Sequence, residues 1–295
     1  MKTSGIIDLL SYAELAACFC IIVVMFVRKQ MAAYGPLAAF LTVRAGSSVI
    51  LLCVQHLSGH GLDRGHAYQV YFYVYWASHT MEALLGIAVI YNLYKLAMAP
   101  LKGLQSLGML MFRWAAAIAV LVAVGMAFGP HVTATKFIVT AVSQLQQTQS
   151  ILTLCLLLFV TFAIRPMGLS YKSRLFGVSF GLGIMSVMSL IGSAWIPHDQ
   201  QTMFTAFGIA NGVAIVATLL TWMVYFTLPE PKRRIIVLPT TSPFLRWNQI
   251  SEALGDEPGY VAVGGVHPEI FAPAELEVMR RASMKMILEP ISINE

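Results

Sequence analysis

Charge is scarce in this chain. Asp, Glu, Lys and Arg make up 11% of its 295 residues, where a soluble domain carries roughly 25%, and hydrophobic residues make up 58%. So few charged side chains exclude an ordinary water-soluble globular domain for most of the length. Reaction signatures are missing too. There is no phosphate-cradling glycine loop, no nucleophile elbow, and no kinase, cyclase or nucleotide-binding pattern. The apolar stretch Met203–Leu228 holds no lysine for a retinal Schiff base and no paired histidines for an intramembrane metallohydrolase. No cofactor is expected. The four cysteines (Cys18, Cys20, Cys53, Cys155) all lie in apolar stretches, where they read as free thiols packing as small hydrophobes.

Long hydrophobic runs take the place of charge. Seven occupy Ile6–Val27, Tyr34–Leu57, Tyr68–Leu96, Leu110–Phe128, Ala134–Ile164, Leu175–Ile196 and Met203–Leu228. Each is close to or above the roughly 20 residues that a helix rising 1.5 Å per residue needs to cross a bilayer core. Basic residues fall in alternate gaps between the runs. Arg28, Lys29, Lys95, Lys102, Arg113, Arg165, Lys172, Arg174, Lys232, Arg233 and Arg234 lie on one side, and Lys2, Arg64 and Lys136 on the other. Because Lys and Arg are retained in the cytoplasm, the amino terminus is expected outside and the carboxyl terminus inside. The fold class expected is an all-α membrane protein. It is a seven-transmembrane-helix bundle over residues 1–228, followed by a short, partly helical cytoplasmic tail over 229–295.

The net charge of +5 divides unevenly. Residues 1–226 hold 12 basic and 5 acidic residues, a balance of +7; residues 227–295 hold 7 and 9, a balance of −2. The positive balance therefore belongs to loops facing lipid headgroups, and the partner it implies is the bilayer rather than nucleic acid. Leu15-Ala16-Ala17-Cys18 matches a lipoprotein cleavage box. However, Asp8 and Glu14 interrupt the preceding run and the residues after Cys18 stay apolar, so a retained first helix is expected. In the tail, Leu228-Pro229-Glu230-Pro231 stops the last helix, and Ser242-Pro243 opens a short one bearing Phe244, Trp247, Ile250 and Leu254. Residues 255–273 read as loop, and Ala274–Met286 as a second helix. The tail is too short for an enzymatic output domain and is the segment available to a cytoplasmic or membrane protein partner.

Ionisable side chains inside a bilayer are costly and mark functional candidates. Here they are Glu14 in the first run, Arg44 in the second, and His79 with Glu82 in the third. Glu82 lies 14 residues from Tyr68 and Arg44 lies 10 from Tyr34. Those are depths of about 21 and 15 Å from opposite surfaces, so the two meet at one level if their helices touch. An Arg44–Glu82 ion pair is expected, with either a structural role in fixing helix register or a role in transport or sensing.

Tyr71, Tyr75, His79 and Glu82 recur at helical spacing and make one face of the third helix polar and aromatic. Gln144 and Gln147 share a face of the fifth helix, Ser186, Ser189 and Ser193 share one of the sixth, and Asn211 lies in the outer half of the seventh. Together with Glu14 these residues suggest an outward-facing polar pocket. Interhelical hydrogen bonding and an interfacial tyrosine belt are the alternative.

His56, His60, Asp63 and His66 cluster in the loop after the second run, where three ligands could hold a zinc ion. Gly59 and Gly61 would break the helix there, and a polar outer loop needs polar residues in any case. His79 and Glu82 could serve as base and orienter, but nothing supplies a third catalytic member. Gly177 with Gly181, and Gly208 with Gly212, are small-xxx-small pairs for close helix packing, and the alanine-rich fourth run reads as a scaffold helix. Cys18–Arg28 and Cys155–Arg165 have equal spacing, as a repeat of three helices would produce, but the other helix pairs show no match.

The order Arg44, Tyr71, Tyr75-Trp76, Glu82, Gly86-Ile87-Ala88-Val89-Ile90-Tyr91 resembles a family of bacterial seven-helix inner-membrane proteins without a known activity. Phe112-Arg113-Trp114, Leu228-Pro229-Glu230-Pro231 and Arg246-Trp247-Asn248 extend the resemblance over most of residues 1–255. It implies a shared bundle in the bacterial inner membrane and no binding residues. The function expected is a sensor-like or accessory membrane component with an outward-facing polar pocket. The alternative is a small-solute or proton-coupled transporter using Glu82, His79 and Arg44.

Overall fold

Among the described residues of the computed structural model, apolar runs become seven α-helices. Residues 3–57, 64–99, 102–127, 134–163, 170–195, 201–230, 236–238 and 261–263 are described. The helices are α1 (Thr3–Val27), α2 (Gly35–Leu57), α3 (Arg64–Ala97), α4 (Lys102–Ala127), α5 (Ala134–Ala163), α6 (Arg174–Trp195) and α7 (Gln201–Thr227). Five contain stretches long and apolar enough to cross a membrane: Gly5–Val27, Gly35–Leu57, Thr135–Phe162, Arg174–Ser193 and Ala206–Thr227. The protein is therefore helical and membrane-like. α3 is not among the five because its length is interrupted by Gln69, His79, Glu82, Asn92 and Lys95. In α4 the apolar stretch is the shorter Phe112–Val122.

The tail departs from an all-α expectation. Ile236–Leu238 (β1) and Val261–Val263 (β2) pair as a two-stranded parallel ladder, with Ile236 opposite Val261 and Leu238 opposite Val263. Residues 261–263 were expected as loop. Three-residue runs are too short to show a strand period, and parallel pairing across the 22 residues between Leu238 and Val261 leaves no local signature. The two tail helices expected at 243–254 and 274–286 lie outside the described residues, as do Lys232–Arg234.

Helix neighbours run α1–α2–α3–α5–α6–α7 and back to α1, forming a ring; α4 packs outside it, against α5 and α3, and α3 also touches α6. One end of the ring gathers the basic residues. There Arg28 Nη2 donates to the Thr227 carbonyl (3.0 Å), and Arg174 donates to the Leu228 carbonyl (3.1 Å) and to Glu230 (2.9 Å). Two cations thus satisfy carbonyls that the last turn of α7 leaves unpaired. At the same end Asn92 Nδ2 donates to the Ala33 carbonyl at 2.8 Å, tying α3 to the start of α2.

α6 and α7 meet through glycine. A Cβ on Gly177 would strike the Tyr225 ring, and one on Gly181 would strike Trp222 and Thr218, so bare backbone is what lets these aromatic side chains lie flat against α6. The expectation of close intrachain packing holds at this pair. It holds for Gly212, which faces Leu10 of α1, but not for Gly208, which has nothing within 4 Å.

Burial is lopsided along the helices. In α1 the buried residues are Ala17, Cys18, Ile21 and Met25, all on the basic-end side of Glu14. In α2 nothing beyond Ser47 is buried, and in α3 Ala67 is the one buried residue before Glu82. α6 has no buried residue from 187 to 193, and α7 none from 206 to 214, whereas Leu219, Trp222 and Phe226 are fully enclosed. Among the described residues, α5 continues its buried stripe to Val142 and Leu145. The core therefore fills, among the described residues, the half of the bundle next to the basic end, and buried side chains are sparse beyond it, although Gly192 still meets Phe207 and Gly212 still meets Leu10 there.

Candidate functional site

At the top of that core three helices converge on one guanidinium. Arg44 Nε donates to Glu14 Oε1 at 2.6 Å, and Arg44 Nη1 donates to Glu82 Oε2 at 3.2 Å. The side chains of Arg44, Glu14 and Glu82 are 14%, 18% and 11% exposed. Helix geometry accounts for the meeting. Glu14 is 13 residues from the end of α1 and Glu82 is 15 from the end of α3, so both stand about 20 Å above the basic end. Arg44 is nine residues into α2, about 14 Å up, and its long side chain covers the difference. Its carbonyl also accepts from both Ser47 Oγ and Ser48 Oγ (2.9 Å each), so the first turn beyond Arg44 turns its hydroxyls back onto the helix.

The Arg44–Glu82 contact expected from depth is present. Glu14 was not expected as a partner, yet it makes the shorter of the two bonds. The same depth count would have found it, because Glu14 and Glu82 sit at nearly equal height on the two helices that flank α2.

Above Glu82, the α3 stripe is continuous. His79 Nδ1 is 3.7 Å from Glu82 Oε2, too far for a hydrogen bond, and this buried nitrogen has no hydrogen-bond partner. The His79 ring packs edge-on to Tyr75 with centroids 4.2 Å apart, and Tyr75 stacks on Tyr71 at 6.2 Å. Tyr75 also meets Trp76 edge-to-face at 5.3 Å.

The remaining sequence candidates divide. Gln144 is half-buried, but Gln147 is exposed, which removes it from the face it was expected to share. Gln149 takes that place: its side chain crosses Gly86, one turn beyond Glu82, where a Cβ could not fit. Gln149 lies seven residues after Val142 and four after Leu145, both buried, and that spacing was the available signal. Ser186 is buried, while Ser189 and Ser193 are exposed, so the serines do not form a common inward row. Asn211 is half-buried. His56 and His66 are exposed, and His60 and Asp63 lie outside the described residues; among the described residues no three His, Cys, Asp or Glu side chains group as metal ligands.

Chemically, the cluster is two carboxylates, one guanidinium and one imidazole in a largely apolar bundle. With a neutral imidazole its charge is −1. Comparison of the chain with models of protein families, with curated proteins and with solved structures finds no match.

Proposed function

We propose that the protein is a multi-pass membrane protein in which all seven helices span the bilayer, with the amino terminus outside and the tail inside. It acts as a sensor-like or accessory component that receives a polar ligand from the outer side. α3 and α4, at 34 and 26 residues, have the length to cross despite their polar or shorter apolar content. The gathering of Arg28, Lys95 and Arg174 at one end supports that end as cytoplasmic. The resemblance over residues 1–255 supports the bacterial inner membrane.

One observation carries the reading of the site. The Glu14–Arg44–Glu82 cluster lies where the buried core ends, with fully enclosed side chains below it and half-buried polar and aromatic side chains above. A charged group at that boundary is reachable from one side only. A purely structural ion pair would be better shielded by placing it in the filled half.

A second reading, small-solute or proton-coupled transport, is favoured by the position of His79 beside Glu82. Flux in proteoliposomes separates the two. The sensor reading expects no uphill solute movement under a proton gradient in wild type; flux that Glu82→Gln abolishes would replace it with the transporter.

A further inference from the structure

We propose that the Glu14–Arg44–Glu82 cluster binds a primary ammonium group, with the apolar stem of that ligand lying along Tyr75 and Trp76. This rests on the reading of the cluster as the functional site, and it names the polar ligand as an organic cation.

The ion pairs leave two carboxylate oxygens over. Arg44 donates to Glu14 Oε1 and Glu82 Oε2, while Glu14 Oε2 and Glu82 Oε1 accept no hydrogen bond among the described residues. Glu82 as a whole residue is only 8% exposed, yet its unbonded oxygen, like that of Glu14, keeps accessible surface. His79 Nδ1, by contrast, is enclosed. The cluster thus presents two anionic acceptors on the helices that flank α2, both held by one guanidinium. Carboxylate oxygens among apolar helices are costly without donors, and one ammonium group brings three.

Charge decides the sign of the ligand. One guanidinium against two carboxylates leaves −1, which a single cation cancels and an anion would worsen. Arg44 Nη2 also makes no bond, but its guanidinium is already tied to both carboxylates. A hard metal ion is the wrong cation, because it takes roughly six or more oxygens and the cluster has two to spare. Among the described residues no three His, Cys, Asp or Glu side chains group as metal ligands.

The surroundings suit an organic body. Tyr75 and Trp76 stand seven and six residues before Glu82, about 10 Å along α3 toward the outer side. Both are half-buried and meet edge-to-face at 5.3 Å, and the His79 ring, 4.2 Å from Tyr75, fills the interval to Glu82. Aromatic faces attract a cation within about 6 Å of the ring centre and cover the methylenes attached to it. The ammonium end therefore points inward to the carboxylates and the stem outward along the rings.

The test is a titration of full-length protein in lipid nanodiscs followed by tryptophan fluorescence. The probe is n-butylammonium chloride. Sodium butyrate carries the same stem with the opposite charge, tetramethylammonium chloride is a cation without N–H donors, and sodium chloride controls for ionic strength. Wild type is expected to respond saturably to butylammonium in the millimolar range and to none of the other three, and the signal is expected to vanish in Trp76→Phe. Glu82→Gln and Glu14→Gln, which keep a hydrogen-bonding oxygen and remove the charge, are each expected to weaken butylammonium binding at least about tenfold. Either variant suffices if the other does not fold. The proposal is overturned by no saturable response to butylammonium, by an equal response to tetramethylammonium or sodium chloride, by a signal that survives Trp76→Phe, or by an affinity unmoved in the folded variants. Saturable binding of butyrate instead of butylammonium overturns the ammonium site while leaving an outward-facing pocket for a polar ligand. That pocket fails separately, and the ammonium site with it, if Tyr75→Cys cannot be labelled from the outer side.

Discussion

Arg44→Gln should be far more destabilising than either Glu14→Gln or Glu82→Gln, because one guanidinium serves two carboxylates. Removing Arg44 leaves two negative charges whose side chains are 18% and 11% exposed, both without a countercharge. Breaking a buried pair in this way costs about 3–5 kcal/mol. That corresponds to a folding equilibrium weaker by roughly a hundredfold to a few thousandfold.

Replacing one glutamate differs in kind. Arg44 keeps the other carboxylate, the glutamine carbonyl still accepts a hydrogen bond, and the excess negative charge disappears. The expected loss is about 1 kcal/mol or less, the scale of one hydrogen bond's net worth. In the triple glutamine variant no charge remains to be stranded, so most of the loss caused by Arg44→Gln should be recovered. The assay is reversible unfolding in mixed lipid–dodecyl sulfate micelles, followed by tryptophan fluorescence. If Arg44→Gln costs no more than Glu14→Gln, or if the triple variant is as unstable as Arg44→Gln, the shared-guanidinium account is refuted.

Two further outcomes test the packing. Gly181→Leu should lower thermal stability in detergent by about 1–3 kcal/mol or more, because its side chain would collide with Trp222 and Thr218; Gly208→Leu, facing open space, should change it little. Arg174→Ala should cost about 2–3 kcal/mol, since Arg174 is 8% exposed and caps α7, whereas Glu230→Gln, on a side chain 43% exposed, should cost under about 1 kcal/mol in the same melting assay.

Much of the helical layout is legible in the sequence, because a run of about twenty apolar residues has few other uses. The ends of α1 and α5 fall within three residues of those read from hydropathy alone. The Arg44–Glu82 meeting was legible for a related reason: helical rise converts residue number to depth, and helices joined by a short loop touch. Which face a residue occupies is harder to read. Gln147 was expected inward with Gln144, but the buried stripe of α5 runs through Val142, Leu145 and Ser150 with Gln149 beside it against Gly86, and polar residues at four nearby positions left the face ambiguous. The ring closure of α7 onto α1 and the parallel pairing of β1 with β2 depend on partners distant in sequence, and hydropathy carries no record of them.

The central claim is that the charge cluster is reached from outside. A Cys-free background with Cys18, Cys20, Cys53 and Cys155 replaced, carrying Tyr75→Cys or Leu93→Cys, tests it with a charged, membrane-impermeant thiol reagent on sealed right-side-out vesicles. The account predicts labelling of Tyr75→Cys from the outside and none of Leu93→Cys, which lies in the filled core. Labelling of Tyr75→Cys only after the vesicles are opened would contradict it.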